Sequence, residues 1–245
     1  MIGDLQAETL RVEGEGGDEV EAYLAQPLDQ EPRGGVIVIH HMPGYDEGTR
    51  EITRRFAANG YAAVCPNLYS REAPGADPDD AAAAARAAGG VPDERLVGDV
   101  AGAAAFLRSL PASNGRVGVI GYCSGGRQAF LAACSVDLDA AVDCYGGFVV
   151  GPPPEGDPRT PLMDRVGDLS CPLLGLFGAD DHRPSPADTQ LLEQALIDAG
   201  KQYEFHTYDG AGHGFFAPER PGYRPEAAKA GWQRIWTFLG EHLSE

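Results

Sequence analysis

Short, almost wholly apolar runs alternate with amphipathic stretches along this chain. Five runs have the character of strands buried on both faces, which is typical of parallel sheets; they lie at 35–39, 62–66, 117–120, 140–145 and 173–177. Apolar residues recur with the period of a helix at 47–59, roughly 93–109, 125–135, 186–199 and 226–243. Strands that alternate with helices of this length predict βαβ units. The expected fold class is therefore α/β, with a doubly wound, mostly parallel sheet and helices on both faces.

An antiparallel hairpin is predicted ahead of this alternation. The runs AETLRV and VEAYLAQP alternate apolar and polar residues, and the turn-rich segment EGEGGDE separates them. Two later segments lack a regular pattern: residues 71–92 predict either a loop or a short surface helix, and residues 151–171 predict a long loop. No repeat of fixed period is present, and 245 residues with 43% apolar content suit a single domain, 1–245.

Composition narrows the classes of partner. A net charge of −18 would repel nucleic acids and anionic membranes, so neither is expected as a partner. The chain is expected to act on a small molecule, as a monomer or a homodimer. The first residues lack a basic start and an apolar run, and nowhere do about 18 apolar residues follow one another. A cytoplasmic location is therefore expected. The cysteines are odd in number and lack zinc-type spacing, so we expect neither a disulfide framework nor a structural metal; they lie at 65, 123, 134, 144 and 171.

The most specific motif lies in the segment VGVIGYCSGGRQAFLAAC. A buried strand runs through Gly121-Tyr122-Cys123-Ser124-Gly125 directly into a helix, which is the nucleophile-elbow pattern with cysteine in place of serine. The flanking glycines leave room for the strained turn, and the helix start favours a thiolate at Cys123. The alternative is that Cys123 is a small buried residue, as we expect for the other four cysteines. A dinucleotide-binding loop is disfavoured because GxGxxG is absent.

Candidate partners for Cys123 follow later strands. Asp180 and Asp181 come just after a buried strand in LLGLFGADDH, and His213 lies in a Gly-flanked loop, AGHGFF, after another strand. The chain order nucleophile, acid, histidine is that of α/β hydrolases. From the residues alone, either aspartate can be the acid. The remaining histidines carry no ligand spacing such as HExxH, so a metal site is not predicted.

Together GYCSGG, ADDH and AGHGFF resemble the dienelactone hydrolase (carboxymethylenebutenolidase-like) family of the α/β-hydrolase superfamily, over nearly the whole chain. The resemblance implies hydrolysis of a small lactone or activated ester by a Cys-His-Asp triad, without a cofactor and through a thioester. It favours Asp181 over Asp180 as the acid, because the family's single Asp directly precedes a His. It also implies an oxyanion hole formed by the backbone N–H groups of Ser124 and Met42.

Two departures from the family's pattern concern the pocket. Where family members carry a Glu in the loop after the first parallel strand, this chain has His41. We expect His41 to line the pocket and to leave Cys123 with more thiolate at rest than a Glu would; the alternative is that it hydrogen-bonds loop backbone. The family's arginine shortly after the catalytic histidine is also missing, because residues 214–217 read GFFA. The substrate is therefore expected to lack the dienelactone carboxylate.

Further substrate contacts are predicted from residue type. Arg71 and Arg86 are candidate anion contacts, although a solvated arginine is the commoner case. Aromatic side chains are candidate walls of an apolar pocket, the alternative being that they belong to the core; these are Tyr122 and Phe215, with Tyr69 and Phe148. A second functional hypothesis is a non-catalytic or redox-sensing protein in which Cys123 is an oxidisable thiol. The presence of the Asp and His partners argues against it.

Overall fold

The computed structural model describes residues 4–29, 31, 33–41, 44–151 and 159–244. Eight strands lie in this part of the chain: β1 Leu5–Glu13, β2 Glu19–Pro27, β3 Arg33–Ile39, β4 Ala62–Pro66, β5 Ser113–Tyr122, β6 Ala140–Cys144, β7 Leu173–Gly178 and β8 Tyr203–Tyr208. Six α-helices accompany them: α1 Glu47–Ala58, α2 Pro78–Ala87, α3 Asp93–Ser109, α4 Ser124–Ala133, α5 Pro186–Asp198 and α6 Pro225–Leu243. The strands form one sheet in the order β1-β2-β4-β3-β5-β6-β7-β8.

Contacts divide the chain into two compact units, of which the first comprises residues 1–119 with 243–245. In this unit β1 and β2 form the N-terminal antiparallel hairpin, β2 pairs antiparallel with β4, and β3 pairs parallel with β4. Helices α1 and α3 pack on these strands. The side chains of Ile37, Phe56, Leu96 and Leu107 are fully buried, so this core is built by all-apolar strands and the apolar faces of helices.

The second unit comprises residues 120–242. Strand β6 pairs parallel with β7, and β7 pairs parallel with β8. Helix α4 packs on β6 and α5 on β7. Helix α5 begins with a capping box, in which Ser185 and Asp188 exchange hydrogen bonds between side chain and backbone. The loops that follow the carboxyl ends of these strands carry the polar residues of interest, as is usual for parallel α/β sheets.

The α/β class, the mostly parallel sheet and the N-terminal antiparallel hairpin are confirmed. For residues 71–92 the sequence predicted either a loop or a short surface helix, and the structure contains a helix there, α2. The predicted loop over residues 151–171 includes a short 3-10 helix, Met163–Asp168, and its residues 152–158 lie outside the described part of the chain. No described helix is long and apolar enough to cross a membrane. The single domain stays a prediction.

Candidate active site

Cys123 occupies a strained turn between β5 and α4. Its φ of 56° is in the left-handed region that non-glycine residues rarely adopt. Its N–H donates to the carbonyl of Cys144 (3.0 Å), and its carbonyl accepts from the N–H of Gly126 (3.0 Å). A Cβ on Gly121 would overlap the carbonyl group of Gly125. Only glycine at position 121 therefore lets the chain fold back so tightly, as the elbow motif predicts.

The structure brings Cys123, His213 and Asp181 together. Nε2 of His213 lies 3.0 Å from Sγ of Cys123, and Nδ1 of His213 lies 2.9 Å from Oδ2 of Asp181. The Asp181 side chain is 2% exposed, whereas that of His213 is 40% exposed. A histidine held on one nitrogen by a buried carboxylate and facing a thiol with the other can move a proton to and from that thiol.

Backbone hydrogen bonds hold the two loops that carry Asp181 and His213. The N–H of Asp180 donates to the carbonyl of Ala211 (2.9 Å) and that of Ala179 to Tyr208 (3.0 Å). The N–H of Arg183 donates to Oδ1 of Asp181 (2.8 Å). Asp180 itself is exposed. Of the two candidate acids, the structure joins Asp181 to His213.

The neighbours of His213 favour its charged form. The hydrogen bond with Asp181, followed by that with Cys123, raises the pKa of His213 to about 10, against the opposing effect of partial burial. The imidazole is therefore protonated at neutral pH.

A pocket of about 370 Å³ opens at Cys123. Small and apolar residues, arginines and the polar residues of the site line it; they are Cys123, Ser124, Gly147, Phe148, Arg159, Asp180, Asp181, His182, Arg183 and His213. Ser124 is the first residue of α4, and the first N–H groups of a helix have no partner within it. The pocket thus places a hydrogen-bond donor and a positive helix end beside the sulfur.

The loop after β6 is anchored by a buried carboxyl group. Asp143 is fully buried, and its Oδ1 accepts from the N–H of Gly146 (2.7 Å). Burial raises the pKa of Asp143 to about 7, although the Gly146 hydrogen bond and the charge of His213 act to lower it. The next residue along from this strand, Tyr145, has a φ of 46° and packs its ring edge-on to His213, with centroids 5.1 Å apart. Asp143 therefore holds a strained loop against the site.

Two predicted substrate contacts lie in the first unit and have partners there. Arg71 donates to Asp18 (2.8 Å) and, through both terminal nitrogens, to the buried Asp99 (2.8 and 2.7 Å). Nε2 of His41 lies 3.4 Å from Oδ2 of Asp46. Burial acts to raise the pKa of Asp46, but its hydrogen bonds with His41 and the Thr49 N–H lower it to about 2. Substrate binding by Arg71 and His41 stays a prediction.

The remaining predicted site residues are two aromatic substrate contacts, Tyr122 and Phe215, and one oxyanion donor, Met42. Tyr122 is 3% exposed and Phe215 is fully buried. The Phe215 ring packs against those of Tyr145 and Phe216, with centroids 5.2 and 4.7 Å apart. These positions are those of core side chains, and direct contact with substrate stays a prediction for both. Met42, the second predicted oxyanion donor, lies outside the described residues.

Sequence reasoning missed the arginines of the pocket, Arg159 and Arg183. A signal existed for Arg183, which directly follows the ADDH segment. Arg159 lies in a segment without periodicity, where no pattern indicates which way a side chain points. In the described part of the chain, no three His, Cys, Asp or Glu residues are grouped so that they could hold a metal ion.

Comparison with known proteins identifies relatives of this chain. The model of the dienelactone hydrolase family matches residues 20–243. A Salmonella typhimurium protein provisionally named as a carboxymethylenebutenolidase is 36% identical over 92% of this chain and 84% of its own length. The carboxymethylenebutenolidase of Pseudomonas putida is 32% identical over 95% of each chain.

A solved structure supports the match to the dienelactone hydrolase family. The Klebsiella pneumoniae protein, provisionally named as a dienelactone hydrolase, superposes with a TM-score of 0.87 at 31% identity, covering 98% of this chain and 100% of its own. The predicted α/β-hydrolase fold is thereby confirmed. The chain belongs to the dienelactone hydrolase family.

Proposed function

We propose that this protein hydrolyses a small lactone or activated carboxylic ester, with Cys123 as nucleophile, His213 as acid and base, and Asp181 as the residue that orients His213. The observation that carries the proposal is the pair of contacts made by His213, to the Cys123 sulfur at 3.0 Å and to Asp181 at 2.9 Å, at the mouth of a pocket. The names of the relatives, which are those of lactone hydrolases, support the substrate class.

In the first half-reaction the thiolate of Cys123 attacks the carbonyl carbon of the substrate. The Ser124 N–H, at the start of α4, donates to the oxyanion that forms, an interaction worth about 3 kcal/mol in comparable sites; Met42 is the expected second donor. Collapse of this intermediate breaks the carbon–oxygen bond. Protonated His213 gives its proton to the leaving oxygen, and the acyl group remains on sulfur as a thioester.

In the second half-reaction His213 is neutral and acts as the base. It takes a proton from water, and the resulting hydroxide attacks the thioester carbonyl. The carbon–sulfur bond breaks, the carboxylic acid product leaves, and thiolate and imidazolium are restored. Asp181 stays ionised throughout and holds the imidazole in the tautomer that exposes Nε2 to the reacting groups. Thiolate is a good leaving group, so the tetrahedral intermediate returns to the reactants unless the other leaving group is also a good one. Activated esters and lactones therefore suit this site better than amides.

The test measures turnover of 4-nitrophenyl acetate and of a small aryl lactone by the wild type and by matched variants. Cys123→Ala should lose roughly three orders of magnitude or more in kcat/KM, whereas the control Cys171→Ala, which removes a buried thiol elsewhere in the second unit, should keep its activity. Mass spectrometry after acid quenching should find the acyl group on Cys123. If the wild type is as inert as Cys123→Ala while peroxide oxidises Cys123 readily, the redox-sensing alternative replaces hydrolysis.

The neighbouring aspartates give a second matched pair within the same test. Asp181→Asn should lower kcat by roughly 10²- to 10⁴-fold, because an amide no longer stabilises the imidazolium or selects its tautomer. Asp180→Asn removes the same charge from an exposed position and should have a small effect. Loss of activity in the Asp180 variant alone would move the acid to that residue.

A further inference from the structure

The carboxyl end of β6 supports the nucleophile and the histidine of the site at once. The carbonyl of Cys144 accepts from the N–H of Cys123 (3.0 Å). The ring of the next residue, Tyr145, lies edge-on to His213 with centroids 5.1 Å apart, and the N–H of Tyr145 donates to the carbonyl of Leu176 on β7 (3.0 Å). A shift of this segment would therefore move both reacting side chains.

The Asp143 side chain lies between this segment and the first turn of α4. Its Oδ1 accepts from the N–H of Gly146 (2.7 Å). A Cβ on Gly126, in α4, would overlap the same oxygen, and a Cβ on Gly146 would overlap the backbone of Gly126 and Arg127. The two glycines thus leave space for one carboxyl group, and its position sets how closely α4 approaches the end of β6.

The second oxygen of this carboxyl group lacks a hydrogen-bond donor. Asp143 is fully buried, and no donor among the described residues lies within reach of its Oδ2. A buried carboxylate with an unpaired oxygen is costly, whereas an uncharged carboxyl group costs much less. Once ionised, Asp143 gains free energy by attracting water or a further N–H group, and the tight packing around it must open to admit either.

The charged and titratable neighbours of Asp143 come from the loop after β8, from β6 itself and from α4. Burial raises the pKa of Asp143 to about 7, and the charge of His213 acts in the opposite direction. Burial, followed by Asp143, raises the pKa of the Cys144 thiol. Helix α4 follows Cys123 and carries Arg127, whose guanidinium donates to a backbone carbonyl of the loop after β6. Strand β7, which also packs on β6, has no ionisable residue. The charge of Asp143 is therefore coupled most directly to His213.

We propose that Asp143 is a positioning residue for hydrolysis: its uncharged carboxyl group holds the end of β6 against the elbow helix, and so keeps Cys123 and His213 in contact. It acts through Gly126 and Gly146 rather than by touching the reacting atoms. The charged form weakens this support, so turnover falls as Asp143 ionises. The effect on turnover rests on the proposed function, whereas the coupling of Asp143 to His213 does not.

The first test measures kcat for 4-nitrophenyl acetate from about pH 5.5 to about pH 9. The wild type should lose kcat with an inflection near pH 7, where Asp143 titrates. Asp143→Asn is neutral and keeps an acceptor for the Gly146 N–H, so it should lack this inflection. Asp143→Ala removes the acceptor and should lower kcat about tenfold at every pH, with KM little changed.

The control for these variants is Asp198→Asn, which removes a carboxylate from an exposed position at the end of α5. It should keep the wild-type pH profile. The proposal is overturned if the wild type and Asp143→Asn share one profile, or if Asp143→Ala keeps the wild-type kcat.

The second test needs no turnover. In proton–nitrogen correlation spectra of the histidine side chains, the signal of His213, assigned with His213→Gln, should show a step near pH 7 in the wild type. The step should be absent from Asp143→Asn and present in Asp198→Asn; ionisation of His213 itself lies at about 10. A wild-type signal without the step would overturn the proposal. If the wild type hydrolyses neither ester nor lactone but shows the step, the proposed function fails and the positioning of His213 by Asp143 stands.

Discussion

Replacing Gly121 by alanine adds a methyl group at the tightest point of the elbow. The new Cβ would overlap the carbonyl carbon and oxygen of Gly125 and lie 2.8 Å from the nitrogen of Gly126. All three atoms are backbone, so relief requires roughly 1 Å of movement at the start of α4, beside Cys123. A displacement of about 1 Å in an active site can lower activity about 10²-fold, and overpacking at a buried position costs about 1–3 kcal/mol. We expect Gly121→Ala to show both losses.

The control for this variant is Gly240→Ala, the same chemical change in helix α6 of the same unit. Among the described residues, no atom outside the local helix backbone and the neighbouring residues lies within 4 Å of a Cβ there. Alanine is favoured over glycine in helices by about 1 kcal/mol. Urea unfolding gives the stability of both variants, and 4-nitrophenyl acetate turnover gives kcat/KM. If Gly121→Ala keeps wild-type stability and activity, the turn can relax freely and the steric account of the elbow is wrong.

Two further predictions concern buried residues. Burial raises the pKa of Asp143 from 3.8 to about 7, so the stability that its neutral form contributes is present below about pH 3.8 and is lost as pH rises through 7. The wild type should therefore lose stability relative to Asp143→Asn across this range in denaturant titrations, by a few kcal/mol; a difference that does not change with pH would contradict the assignment. Phe215→Ala should cost about 3–5 kcal/mol in urea unfolding, since the ring is fully buried, whereas unchanged stability with a raised KM would make Phe215 a substrate contact.

The elbow and the positions of its partners could be predicted because each depends on a local pattern. An all-apolar strand, a glycine-flanked cysteine and a helix follow one another within 117–135, so the turn geometry is encoded in neighbouring residues. The glycines on either side of His213 likewise mark its loop in the sequence. The choice between Asp180 and Asp181 was less local: only the family resemblance separated them, because both are acidic residues after the same strand.

The environment of the pocket could not be predicted in the same way. Arg71 was a reasonable candidate for an anion contact, but its ion pairs join it to Asp18 and Asp99, which are 53 and 28 residues away in sequence. Arg183 gave no periodic signal, and only the structure shows that it lines the pocket with Cys123. Both facts follow from three-dimensional packing, which residue type alone does not specify.

By itself, the sequence determined that this chain forms an α/β sheet with a cysteine elbow, an acid and a histidine in the order of its family, because strand and helix periods and glycine turns are local properties. Tertiary structure decided which of these groups touch. It joined His213 to Cys123 and to Asp181, buried Tyr122 and Phe215, and set Arg183 on Phe148 at the pocket. Such contacts link residues tens of positions apart, and the energies that select them arise only when the strands have assembled.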